Sequence, residues 1–169
     1  MPWLPSIDGM IMKENIKYET IFDPQQEDLK RIDRGLHEFD ASFLGESVIM
    51  DYDKLAVFAR DEEGNVIGGL HGELVWEWFY IKTMWVEDDY RGYAIGTRLL
   101  SMAEEAAASR GFHKVHLETT GFQALGFYLK NGYEVFGKLE GKPTGTTWYF
   151  LKKEELPSDQ PAPEYLRDI

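Results

Sequence analysis

The sequence predicts a mixed α+β domain built on a central, mainly antiparallel sheet of about seven strands, with helices on both faces. Three observations carry that expectation. A hairpin signal lies between residues 54 and 74, with the polar turn DEEGN separating two apolar runs. The hydrophobic period changes from strand-like to helix-like at Ile95, and a further strand pattern follows at 114 to 120. That strand, helix, strand order from 76 to 119 requires a parallel crossover in an otherwise antiparallel sheet.

The elements follow in order. NIKYETI (15 to 21) alternates as a strand, and Asp23-Pro24 supplies a helix start. Leu29, Ile32, Leu36 and Phe39 recur at spacings of three and four, so that helix is expected to end between Asp40 and Gly45. KLAVFAR (54 to 60) and VIGGLHGEL (66 to 74) form the hairpin. WEWFYIKTMWV (76 to 86) is apolar on both faces and is expected to be central. Ile95, Leu99, Leu100, Ala103 and Ala107 make one helical stripe closed by Gly111, and a helix over roughly 122 to 131 stops at Asn131-Gly132. YEVFGKL and TTWYFLK complete the strands. A folded domain at 13–153 is expected between an extension at 1–12 and a proline-bearing polar tail at 154–169.

The 169 residues suit one domain with a substantial core, being 43% apolar and 14% aromatic. There is no cysteine, which excludes disulfides, a thiol nucleophile and cysteine-based zinc sites. A formal charge of −12 opposes nucleic-acid binding and favours cationic small molecules, while serving solubility equally well. The opening MPWLPSIDGMIMKEN has neither a basic n-region nor an apolar run of export length, and no stretch is long enough to span a bilayer. The expectation is a cytoplasmic protein without membrane association. The four histidines, 37, 71, 113 and 116, have no metal-ligand spacing, so no metal is expected. No serine or threonine lies in a nucleophile elbow.

VEDDYRGYAIGTRLL (86 to 100) joins the central strand to a helix N-terminus, where free amides and the positive end of the helix dipole favour an anion. Gly92 and Gly96 allow close approach, Ala94 is nearly as small, and Arg91 adds a charged contact. It is neither a Walker loop nor a dinucleotide fingerprint. By spacing alone, a glycine-rich helix start and a phosphate cradle stand level.

MWVEDDYRGYAIGTRLL resembles the acyl-CoA motif of the GNAT N-acyltransferases, Q/R-x-x-G-x-G/A, with Arg91, Ala94 and Gly96 at the matched positions. FQALGFYLKNGYEVFG (122 to 137) resembles that family's second block, a tyrosine-bearing helix followed by Gly-Phe/Tyr. The likeness spans roughly residues 54 to 151. It implies a sheet in which the strand at 76 to 86 splays from the strand at 114 to 119. The pantetheine arm of acetyl-CoA, or of another acyl-CoA, is then expected against Trp85 and Val86, with the diphosphate on the amides of Arg91, Gly92, Tyr93, Ala94, Ile95, Gly96 and Thr97. The family often carries an asparagine seven residues before its tyrosine; here that position is Gly121, which moves the expected contact to Gln123.

Transfer to an amine needs a base for the ammonium and an acid for the departing thiolate. The resemblance gives Tyr128 the acid role and a place beside the cofactor. Glu77 and Glu73 are the base candidates, Glu77 because alternation with Phe79 and Ile81 is expected to give it apolar surroundings that raise its pKa. Glu73, Glu118 and His71 are rivals to Glu77, and for each of them the pattern favours a solvated or hydrogen-bonded structural role over catalysis. His37, Glu38, Asp40 and Phe43 lie where the family places acceptor recognition. Trp76, Trp78 and Tyr80 are expected to share a strand face, as core, wall or homodimer surface. The function implied is acyl-CoA-dependent N-acylation of a primary amine on a small molecule or peptide, in a ternary complex. The alternative is an acyl-CoA-binding module without catalysis.

Overall fold

The computed structural model describes residues 16–45 and 52–156. The expected extension at 1–12 and nearly all of the expected tail lie outside the described residues. The chain divides into two compact units at Phe39 and Asp40.

Helix α1 (Gln26–Leu44) begins with Glu27 and Asp28 at its positive end. It stops where Gly45, at φ +80°, turns the chain into a left-handed conformation. None of its residues is buried. Residues 16–21, expected as a strand, form no regular element. Alternation supplies a strand's side-chain pattern but not the neighbouring chain that completes its hydrogen bonds. The sheet accordingly has six strands among the described residues instead of about seven.

Those strands are β1 (Tyr52–Arg60), β2 (Val66–Val75), β3 (Trp78–Val86), β4 (Lys114–Thr120), β5 (Glu134–Glu140) and β6 (Thr147–Lys153). Their order is β1-β2-β3-β4-β6-β5, all antiparallel except β3 with β4. The expected central strand is thus third of six. It starts two residues later than expected, because Trp76 and Glu77 form the turn, with Trp76 at φ +54°. Trp76 therefore does not share a strand face with Trp78 and Tyr80.

Helix α2 (Ile95–Ser109) and the short α3 (Leu125–Lys130) both feed the core cluster. Leu100, Ala103 and Ala107 of α2 lie with Leu70, Leu74, Phe79, Ile81, Val115, Leu117 and Leu151, which alternation places on one sheet face. Gly111 at φ +88° ends α2, and Phe112 N–H returns to the Ala107 carbonyl. At Gly72 a Cβ would run into the Tyr80 carbonyl, so β2 and β3 approach closely only because that side chain is absent.

Candidate active site

The parallel pair β3 and β4 is zipped only at one end. Trp78 to Ile81 pair with Lys114 to Leu117, and there the shared ladder stops. Beyond it, β3 stays paired to β2 as far as Val86, and β4 stays paired to β6 as far as Thr120. Each strand is held on its outer edge and released on its inner one, which opens a V. A bulge contributes: His71 faces Thr83 while Gly72 faces Ile81, leaving Lys82 as an extra residue where the separation begins. Among the described residues of this gap, Thr120 presents a buried hydroxyl, 2% exposed, with no protein partner. Unpaired strand backbone and an orphan hydroxyl are the groups that an amide-bearing arm satisfies.

The cradle lies at the wide end of the V. A single 3₁₀ turn (Asp88–Tyr90) leads to Gly92 at φ +86° and Ala94 at φ +60°, and α2 starts at Ile95. No side chain caps α2, so its first-turn amides point outward as free donors. Ala94 occupies a left-handed conformation that favours glycine, which explains the commoner residue at this position of the motif better than size alone. A Cβ on Gly96 would meet Met84 Cε at 3.3 Å and the Phe127 ring at 3.4 Å. Its bareness lets the first turn of α2 pack against β3 and α3. Arg91 is tied into the loop: Nε donates to the Val86 carbonyl at 3.1 Å and Nη2 pairs with Asp88 at 2.7 Å. Asp88 of the acidic run thereby holds the arginine in the loop. Tyr93 and Trp85 are exposed beside it.

Tyr128 is buried at the core side of the V. Its hydroxyl lies 3.8 Å from Met84 Sδ on the splayed half of β3, and its ring meets Phe127 and Tyr133 edge-on at 5.1 and 5.6 Å. Burial pushes its pKa up to about 12, so the phenol is neutral and able to donate at physiological pH. Tyr133 is pushed up further by burial and by Glu104, to which its hydroxyl donates at 2.8 Å.

The opposite sheet face carries a second constellation. Glu118 follows the last paired residue of β4, on the face away from Leu117. Trp148 Nε1 donates to its Oε2 at 2.8 Å and the Tyr80 hydroxyl to its Oε1 at 3.4 Å. Tyr80 stacks on His116 with ring centres 4.5 Å apart, and Trp78 meets that imidazole edge-on at 5.6 Å. Burial holds His116 below its ordinary range, against the opposing pull of Glu118. Burial first, then Glu118, raises the Tyr80 phenol. Three strands thus converge on one carboxylate at the mouth of the V.

The expected base candidates sit otherwise. Glu77 is in the β2–β3 turn at the closed end and is paired with Lys114. The apolar setting expected for it is absent, because the turn places it beside an ammonium and its side chain is 39% exposed. Glu73 pairs with Lys82 at 2.5 Å on the sheet face that carries Tyr80. Gln123 is exposed and folds back on its own turn, its Oε1 accepting from the Thr120 N–H at 3.2 Å. His71 is exposed on β2. His37, Glu38, Asp40 and Phe43 lie on α1. Trp148 and Tyr80 carried no motif; the available signal was their parity with Glu118 once strands and register are known. Among the described residues, no group of three or more His, Asp or Glu side chains is arranged to hold a metal. No described helix is long and apolar enough to cross a membrane.

A splayed parallel pair leading into an uncapped helix N-terminus defines an acyl-CoA-dependent transferase. The chain belongs to the GNAT acetyltransferase family, which matches residues 18–133. It is 37% identical over 100 residues to the blasticidin-S acetyltransferase of Streptomyces morookaense, covering 59% of this chain and 74% of that one. An acetyltransferase of Agrobacterium fabrum is 32% identical over 124 residues, covering 73% of this chain and 88% of that protein. A crystal structure of an acetyltransferase from Bacillus cereus superposes with a TM-score of 0.75 at 26% identity, covering 80% of this chain and 97% of the other.

Proposed function

We propose that the enzyme transfers acetyl directly from acetyl-CoA to a primary amine of a small molecule within a ternary complex. The supporting observation is that an acid and a base candidate flank one gap from opposite faces: neutral Tyr128 at Met84 on the core side, and Glu118, bonded to Trp148 and Tyr80, on the other. Bound acyl-CoA supplies an activated acyl thioester. The α2 amides with Arg91 seat its diphosphate, and Trp85, Val86 and the Thr120 hydroxyl receive its amide-bearing arm. Glu118 takes the proton from the incoming ammonium, and Tyr128 donates one to the departing thiolate. Glu73 and Lys82 line the approach rather than the proton path. Holding amine and thioester across the gap supplies much of the rate by proximity.

The acceptor named in the Streptomyces relative, blasticidin S, supports a small molecule over a peptide. The test is a panel of amines, blasticidin S included, mixed with acetyl-CoA while free thiol is followed. Turnover is expected. Tight CoA binding without turnover across a broad panel would instead make the chain a binding module.

A further inference from the structure

We propose that the enzyme acetylates its own Lys142, an inference that rests on the acyl transfer just described and adds an intramolecular acceptor to it. Lys142 lies in the turn 141–146 of the β5–β6 hairpin, whose ladder ends at Glu140 and Thr147. Its ammonium stands 4.4 Å from the centre of the Trp148 ring. That same indole donates from Nε1 to Glu118 at 2.8 Å. Trp148 in turn pairs with Thr120, the last residue of the released half of β4. The hairpin turn therefore lies at the open end of the V and brings a primary amine to the corner that contains the acceptor-side carboxylate.

Other lysines of this part of the sheet are engaged differently. Lys114, Lys138, Lys152 and Lys153 each form an ion pair with a carboxylate. Lys142 meets an aromatic face, a contact worth only about 0.5–1 kcal/mol at exposed sites. Its long stem lets the nitrogen leave that face at little cost.

The step balances as follows. The Lys142 ammonium gives one proton to Glu118, which passes it to solvent. The nitrogen lone pair forms a bond to the acyl carbon as the carbon–sulfur bond breaks, and the thiolate takes the proton of Tyr128. The second proton leaving the nitrogen restores Tyr128. The products are acetyl-lysine, free CoA thiol and one proton. Acetylation removes the charge that Trp148 attracts, so the corner is cleared for an external amine.

The full chain, incubated with acetyl-CoA and no amine, is analysed by peptide mass mapping. Lys142 is expected to be modified at least ~10-fold faster than exposed Lys138 and partly exposed Lys152, because its reaction is intramolecular. The rate constant should not depend on protein concentration, and among the lysines, only Lys142 should be modified more slowly in Glu118→Gln. Modification of Lys142 at the background rate of the other lysines, or a rate that rises with protein concentration, overturns the proposal. Turnover of an added amine by the unaltered chain, measured in parallel, shows whether such a failure belongs to Lys142 alone or to acyl transfer itself. Without any acyl-CoA, butylammonium should shift the Trp148 indole N–H resonance at lower concentration in Lys142→Gln than in the unaltered chain. Equal titrations remove the premise that lysine and acceptor share the corner.

Discussion

The two ends of the β3/β4 pair carry the same chemical group in opposite circumstances. At the closed end, Glu77 sits in a turn beside Lys114, where the ladder is intact and the carboxylate is neutralised by its neighbour. At the open end, Glu118 is held by an indole N–H and a phenol, both neutral donors, next to backbone that has lost its partner strand. An ion pair uses a carboxylate's charge, whereas neutral donors orient it and leave that charge available to an incoming ammonium. Position along the ladder separates the ion-paired carboxylate from the one we propose as the base.

The largest test of this comparison is the open end itself. Gly96→Val is expected to weaken CoA binding by at least ~100-fold in calorimetry, because the added atoms collide with Met84 and Phe127 and displace the start of α2. Unchanged affinity would mean that the cradle lies elsewhere. Glu118→Gln should lower kcat by roughly 10²-fold, the usual scale for a general base. Glu77→Gln should stay within about twofold of the unaltered enzyme, since a half-exposed ion pair contributes little. Equal losses in the two variants would erase the distinction between the ends. Tyr128→Phe is expected to cost about tenfold in kcat with CoA affinity retained, a smaller loss because a thiolate leaves more readily than an amine or alkoxide.

A further effect is a matter of pH. The Tyr128 pKa is raised from 10.0 to about 12 by burial, so the neutral form is favoured by folding. The stability this contributes is present in full below pH 10 and is lost as pH rises through about 12. Thermal midpoints should therefore fall between those values, and less steeply in Tyr128→Phe. The smallest effect concerns the loop: Ala94→Gly relieves a left-handed alanine and should stabilise the fold by roughly 0.5–1 kcal/mol, read by denaturant unfolding.

Much of this site was legible in the chain because its signals are local. Gly92, Ala94 and Gly96 reveal a helix start, and Tyr128 belongs to a compact block with Asn131-Gly132 behind it. The carboxylate we propose as the base carried no local signal of that kind. Glu77 matched the alternation of Phe79 and Ile81, yet Trp76 turns the chain back one residue before it, and a turn residue has no strand face. The run at 15 to 21 failed for a related reason, since a strand is completed by a partner that no local pattern names.

By itself, the sequence determined the crossover unit, the glycine-marked start of α2, the tyrosine on the following helix and the family to which they belong. These depend on turn conformations and periodicities within a few residues. Only the tertiary structure decided where β3 and β4 part, which carboxylate stands at that parting, that Tyr80 and Trp148 bond to it, and that Lys142 meets the Trp148 ring. Those residues lie far apart in the chain, and register across three strands, a long-range property, is what brings them together.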